Sequence, residues 1–316
     1  MEHPVVDVVV PVFEPTDDFI KMLRMLYGQG SIIRKVILVI TRSEKAVYPD
    51  LFHYPGIVIH AIDPEYFDHA GSRNLGFSLS DADYVLMMTQ DAIPESSRLA
   101  EKLLAPFEDE AVAVSYARQI PRDDCDPIEF YTRQFNYSEE SRVKSLDDVA
   151  TLGLKAYFCS DACAMYKRSV FEELGRFSAP VIFNEDMMFA HKALHAGYKI
   201  AYAADACVIH SHNMTGKKQY QRSFDMGVSH AMHPEVFSGV SAEGSGKAMM
   251  KDVIKNLARD GSFIWIVKFL YQCGMRYLGY RKGRNYKNLS RETILKYTMN
   301  PRFWEGKYGT DQSNKV

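Results

Sequence analysis

The sequence predicts an α/β protein with a mostly parallel sheet flanked by helices. Three observations predict it: short apolar runs rich in β-branched residues recur, helical spacings lie between them, and polar residues stand just past the ends of the runs. A strand buried on both faces of a parallel sheet reads as a continuous apolar run rather than an alternating one. Such sheets take ligands beyond the carboxyl ends of their strands, so those polar residues are the first place to look for chemistry.

The elements follow in order. Val5–Phe13 (VVDVVVPVF) is the first strand. Thr16 offers an N-cap to a helix with Asp17 and Asp18 in its first turn, an apolar face of Phe19, Met22, Leu23 and Leu26, and Gly28 as its stop. Val36–Ile40 and Ile57–Ile62 read as two more buried strands, and Gly71–Leu79 as a helix. Tyr84–Met88 is a fourth strand, Pro94 opens a helix reaching about Phe107, and Ala111–Tyr116 is a strand again. Ser138–Asp148 (SEESRVKSLDD) reads as a polar, mobile loop. Residues 1–235 form one domain on this reading, and residues 236–316 a basic helical C-terminal region.

Composition narrows the classes. With 316 residues, 47% hydrophobic, the chain is too apolar for disorder. Five cysteines without a C-x-x-C exclude a disulfide scaffold and suit reduced thiols in a cytosol. Met1-Glu2-His3-Pro4 leads straight into the first strand, with no basic or apolar region of a signal peptide. The net charge of −2 hides an asymmetry: residues 247–316 carry 15 Lys and Arg against 5 Asp and Glu, a local +10. Within that segment Ser262–Tyr280 is apolar and aromatic, but Lys268 and Arg276 interrupt it, so it does not read as a transmembrane helix. Arg281, Lys282, Arg284 and Lys287 follow. The segment suits a helix in a membrane interface, or one packed on the main domain with a solvated basic tail. Nucleic-acid binding is disfavoured by the acidic body and the lack of a recognition motif.

Several residues can carry chemistry. Asp91 follows the fourth strand, where a carboxylate can hold a divalent cation or cap a helix. His210 and His212 end the run Ala206–Ile209, and alternation puts both imidazoles on one side, where one or both can ligate a metal. Asp91 with His makes a mixed oxygen and nitrogen set suited to Mn²⁺ or Mg²⁺. Glu185 and Asp186 start a helix, as caps or as a general base and its anchor. His69–Gly76 is a small-residue turn in which backbone N–H groups and Arg73 can meet phosphate. Neither G-x-G-x-x-G, a P-loop nor G-x-S-x-G is present, which counts against dinucleotide, P-loop and serine-hydrolase chemistry.

The order of these motifs is more informative than any one. VVVPVFE (Val8–Glu14), DHAGSRNLG (Asp68–Gly76), DYVLMMTQDAIP (Asp83–Pro94), SDACAMYKRSVFEELGRF (Ser160–Phe177), NED (Asn184–Asp186) and HSHN (His210–Asn213) resemble the family 2 glycosyltransferases of GT-A fold. TQDAIP and YQRSFDMG (Tyr220–Gly227) resemble the bacterial rhamnosyltransferase branch. The resemblance implies an inverting transfer of a sugar, L-rhamnose from dTDP-L-rhamnose first, to a polysaccharide or lipid-linked glycan at the cytoplasmic membrane face. It implies a nucleotide-sugar half at residues 1–120 and an acceptor half at 150–235. It makes Asp186 the catalytic base with Glu185 beside it on the acceptor side, and Asp91 the metal ligand together with His210 or His212. It places Pro11, Phe13, Glu14, Thr41, Arg73, Asn74, Gln90, Asp91 and Asp161 around the nucleotide sugar. Thr89 departs from the family by standing at the first acidic position of D-x-D. The alternatives are the same reaction class with another nucleotide-sugar donor, or a sugar-nucleotide-binding subunit without catalysis.

Overall fold

Nine strands form one sheet among the described residues: β1 Val6–Val12, β2 Ile33–Thr41, β3 Ile57–Ile62, β4 Tyr84–Met88, β5 Ile93–Pro94, β6 Val112–Ile120, β7 Arg142–Lys144, β8 Cys163–Lys167 and β9 Lys199–Ile209. This computed structural model describes residues 4–46, 55–239 and 243–305. The strand order is β3-β2-β1-β4-β8-β6-β9-β5, with β7 on β9. β1, β2, β3 and β4 run parallel, as do β6 and β9. β8 lies antiparallel between β4 and β6. Two reversals across β8 leave β6 pointing the same way as β4. The start of β8 therefore sits at the same sheet edge as the carboxyl ends of β1, β2, β4, β6 and β9.

The apolar runs explain the core. Val6, Val8, Val10 and Val12 alternate onto one face of β1 and join the buried Phe19, Met22, Leu23 and Leu26 of the helix Asp17–Tyr27. On the helix His69–Ser78, a Cβ at Gly76 would run into the side chains of Val9 and Val39, so glycine there lets the helix lie close on the sheet. Asp68 caps this helix by accepting from Gly71 N–H at 2.6 Å.

Four local expectations need correction. Ile57–Ile62 is an edge strand with Ile59 41% exposed, not a buried one; an apolar run reads alike in both places. Ile93-Pro94 pairs with Ile209 and Val208, and the helix comes only at Leu99–Leu104. Thr16 stands at an N-cap but makes no side-chain cap bond. The stretch 138–148 is ordered in part: β7 pairs with β9, and Ser145 and Asp148 form a reciprocal capping box.

The chain divides into two compact units, and the division is not at residue 235. The first is Met1–Ile120, Tyr137–Ala179 and Glu185–His210; the second is Pro121–Asn136, Pro180–Asn184 and Ser211–Val316. Local composition cannot show that an early helix, Pro127–Asn136, packs with late ones: Ile128 and Tyr131 share a core with Val253, Leu257 and Phe269. A second cluster there gathers Phe224, Val228, Ile294, Phe303 and Trp304. Among the described residues no helix is long and apolar enough to cross a membrane.

Candidate active site

The site lies in the first unit, along the carboxyl edge of the sheet. β1 ends in Pro11, Phe13 and Glu14, β2 in Thr41, and β4 runs into Thr89-Gln90-Asp91. The segment Ser160-Asp161-Ala162, just before β8, binds these ends together. Thr89 N–H donates to Ala162 O at 3.2 Å. Asp161 N–H donates to Asp186 Oδ2 at 3.2 Å, and Met187 N–H to Asp186 Oδ1 at 2.7 Å. Gln119, at the end of β6, donates from Nε2 to Ser160 Oγ at 2.8 Å. Asp91, Asp186 and His210, far apart in sequence, are thus linked through three consecutive residues.

Asp186 opens the helix Glu185–His195 and is half-buried. Burial, reinforced by the carboxylates of Asp161 and Glu185, pushes its carboxyl well above the usual carboxylate range. Asp161 is 3% exposed, and burial raises it to about 6 against the pull of Arg73. Tyr166 donates to Asp161 Oδ1 at 2.5 Å. A carboxylate with a raised pKa, fixed by two backbone N–H groups at a helix start, has the chemistry of a general base.

Arg73 ties the acids together. Its Nε lies 3.1 Å from Asp161 Oδ2 and its Nη1 3.1 Å from Glu185 Oε1, with all three side chains nearly inaccessible. Burial works against the guanidinium, and the charges of Asp161, Glu185 and Asp186 more than offset it, so Arg73 stays protonated.

Within the protein the Arg73 guanidinium faces carboxylates through Nε and Nη1. Asn74 is likewise committed: Nδ2 donates to Phe177 O at 2.9 Å and Oδ1 accepts from Phe177 N–H at 3.2 Å. Gln90 does the same on Phe13, accepting from its N–H and donating to its O, both at 2.8 Å. These two amides brace the backbone around the site. Glu14 accepts from Ser43 Oγ at 2.8 Å, and Thr41 is 1% exposed.

Asp91 and His210 do meet: His210 Nε2 stands 3.5 Å from Asp91 Oδ1. Gln119 sets the ring. With its Nε2 given to Ser160, its Oε1 faces His210 Nδ1 at 2.9 Å, so Nδ1 donates there and Nε2 is left facing Asp91. An imidazole nitrogen beside a carboxylate oxygen suits a cation between them, and the Gln119 contact is the kind of outer hydrogen bond that metal-binding histidines use. The donor set of one carboxylate and one imidazole fits Mn²⁺ or Mg²⁺ completed by phosphate oxygens. His212 lies two residues on, in the second unit. Thr89 Oγ1 is buried without a hydrogen-bond partner. Sequence reasoning missed Gln119, Ser160 and Tyr166; a polar residue buried at a strand end, as Gln119 is at 3% exposure, was the available signal.

A sheet of this order, gathering acids from separate segments at one edge, defines the fold class of the GT-A transferases. The chain belongs to glycosyl transferase family 2, whose family model matches residues 7–175. It is 36% identical over 303 residues to the O-antigen chain rhamnosyltransferase RfbN of Salmonella typhimurium, covering 95% of this chain and 96% of that one. It is 40% identical over 250 residues to the O-antigen chain rhamnosyltransferase WbaN of Salmonella anatum, covering 78% of each. Solved structures share the fold. The mannosyltransferase PcManGT from Pyrobaculum calidifontis, in complex with GDP-Man and Mn²⁺, superposes with a TM-score of 0.58 at 15% identity, over 89% of this chain and 88% of that one. S. aureus TarS 1–349 gives 0.51 at 13% identity, over 89% and 90%.

Proposed function

We propose that this glycosyltransferase moves L-rhamnose from dTDP-L-rhamnose to a lipid-linked glycan in the assembly of an O-antigen-type polysaccharide, inverting the anomeric centre. The names of the two Salmonella relatives support the sugar and the pathway. One observation carries the chemistry: Asp186 is bonded to Asp161, and the residue after Asp161 is bonded to the strand end that leads to Asp91. Asp186 Oδ takes the proton of the acceptor hydroxyl as its oxygen attacks the anomeric carbon, while the bond to the nucleoside diphosphate breaks. Asp91 and His210 would hold Mn²⁺ or Mg²⁺, which would supply positive charge to the diphosphate leaving group, a stabilisation that grows as the bond breaks and so lowers the barrier. Arg73 holds Asp161 and Glu185 in place, and Pro11, Phe13 and Glu14 border the nucleotide. A lipid-carried acceptor puts the enzyme in the cytoplasm at the inner face of the membrane, with the basic C-terminal region toward it.

The test is purified protein with Mn²⁺ or Mg²⁺, a membrane extract as acceptor and a panel of sugar nucleotides, read as nucleoside diphosphate release. Release from dTDP-rhamnose alone is expected. Release from a different donor only would reject the sugar and keep the class. Thr89, in place of an acid, favours one second reading, a sugar-nucleotide-binding subunit; tight calorimetric donor binding without turnover on any acceptor would establish it.

A further inference from the structure

The helix Phe263–Arg284, in the second unit, is apolar on its outward side as well as on its buried one. A helix at the surface of a soluble protein turns its apolar stripe to the core and its polar residues to water. Here the buried face carries Phe269 together with Gln272, Gly279 and Gly283. It packs along the helix Gly216–Met232 so closely that a Cβ at Gly279 would run into Tyr220 O, and one at Gly283 into Phe224 O. Gln272, 2% exposed, donates from Nε2 to Met214 O at 3.0 Å, and Arg276 donates from Nε to Gln219 Oε1 at 2.9 Å. Five further large apolar side chains are on the outside: Phe263 is 67% exposed, Ile264 76%, Val267 65%, Tyr277 62% and Leu278 51%.

These positions are not scattered. At about 100° per residue they fall, with Leu270 and Tyr271, on one arc of roughly 140°. At 1.5 Å per residue the apolar part of the arc is about 22 Å long. Continuing the same rotation, Arg281 and Lys282 lie on this arc, both exposed, and Arg284 follows in the last turn. One arc thus presents a row of apolar and aromatic side chains ending in a basic cluster, within a segment carrying 15 basic and 5 acidic residues.

We propose that this arc is a membrane-docking surface. The helix lies flat on an anionic bilayer, Phe263, Ile264 and Val267 reach below the headgroups, and Arg281 and Lys282 pair with lipid phosphates. Charge complementarity selects an anionic lipid surface over a second copy of the chain, because a second copy would bring another segment of the same net positive charge. Among the described residues no helix is long and apolar enough to cross a membrane, so this one docks in the plane of the interface. The inference rests on the proposed function only for where the acceptor is carried; donor and base do not enter it.

The test is flotation of the full chain with vesicles of phosphatidylcholine alone, or with a quarter phosphatidylglycerol, at low and high salt. Binding to the anionic vesicles is expected, weakened by salt. Ile264→Ser with Val267→Ser is expected to reduce it at least tenfold, as is Arg281→Glu with Lys282→Glu. Both pairs are exposed, so unchanged circular dichroism and unchanged release of nucleoside diphosphate from soluble donor separate lost docking from lost folding or lost chemistry. An Ile264→Trp variant should show a blue-shifted emission on anionic vesicles. No flotation at low salt would overturn the proposal. So would unaltered flotation of the apolar pair, or a wild-type dimer in light scattering that the apolar substitutions dissociate.

Discussion

Replacing Arg73 by Met tests the logic of the acid cluster most sharply. The guanidinium is the cation seen between Asp161 and Glu185, at 3.1 Å from each, with side chains 5%, 4% and 9% exposed. Removing one partner from a buried ionic group typically costs about 3–5 kcal/mol, because the remaining charges stay desolvated and unpaired. The loss has a definite pH signature. Asp161 already has a folded-state pKa near 6, raised by burial although Arg73 pulls it down. Without Arg73 it rises further, so the folded variant binds protons more tightly than the unfolded chain. A carboxyl with a raised folded pKa contributes stability that is present in acid and lost as pH climbs through that value. The deficit of Arg73→Met relative to wild type should therefore be largest at pH 8 and shrink toward pH 5, by about 1.4 kcal/mol for each unit that the pKa rises. Urea unfolding followed by circular dichroism at the two pH values measures both quantities. Adding Asp161→Asn to Arg73→Met removes one orphaned charge and should recover part of the loss. A deficit below about 1 kcal/mol that does not vary with pH would refute the assignment of Arg73 as the cation that neutralises this cluster.

Other outcomes follow from the same geometry. Asp186→Asn should lower turnover by about 10²–10⁴ with donor binding retained, and full activity would remove Asp186 as the base. The raised pKa of Asp186 means that its active, deprotonated form accumulates late, so the rising limb of the pH–rate profile should lie above the ordinary carboxylate range; a midpoint near 4 would contradict this. Gln119→Leu leaves Asp91 and His210 in place but frees the imidazole to choose the other tautomer, so the apparent affinity for Mn²⁺ should fall about 10–100-fold in a metal titration. In the second unit, burial holds Asp225 near 7 despite bonds from Thr298 and Met299. Its contribution is fully present below pH 4 and is lost as pH rises through 7, about 4 kcal/mol in all, so Asp225→Asn should flatten the pH dependence of unfolding.

Much of the fold was legible because burial on both faces leaves a mark that needs no context. β1, the core of β2, and β4 are continuous apolar runs, and the helix Asp17–Tyr27 carries its apolar face at helical spacing. What failed depended on distant partners. Ile93-Pro94 is a strand because Ile209 and Val208 lie beside it, and nothing local distinguishes a proline that opens a helix from one that pairs at an edge. Asp91, His210 and Asp186 stand out as candidates because their positions after strands or at a helix start are visible in the chain. The partners that Asn74, Gln90 and Arg73 take within the protein are not visible there. A side-chain amide has the same donors and acceptors whether it meets a nucleotide or the backbone of Phe177 or Phe13, and a guanidinium pairs with carboxylate as readily as with phosphate.

The short segment Ser160–Ala162 shows why catalytic groups from distant stretches of chain can be held to a common geometry. A base and a cation site must face one another across a single sugar carbon, so errors in their relative position cost rate steeply. Loops fixed independently would accumulate such errors. Here each group is referred to the same three residues: Ser160 to His210 through Gln119, Asp161 to Asp186 through its own N–H, and Ala162 to the strand end before Asp91. Those residues in turn are fixed by the antiparallel register of β8, where Cys163 pairs with Met88 and Ala164 with Tyr116. β8, antiparallel to both β4 and β6, brings a strand start, with its backbone N–H groups, in among the carboxyl ends of its neighbours. That reversal lets a backbone donor of Asp161 and a backbone acceptor of Ala162 stand side by side, one aimed at Asp186, the proposed base, and the other at Thr89, on the strand end that leads to Asp91, the proposed metal ligand.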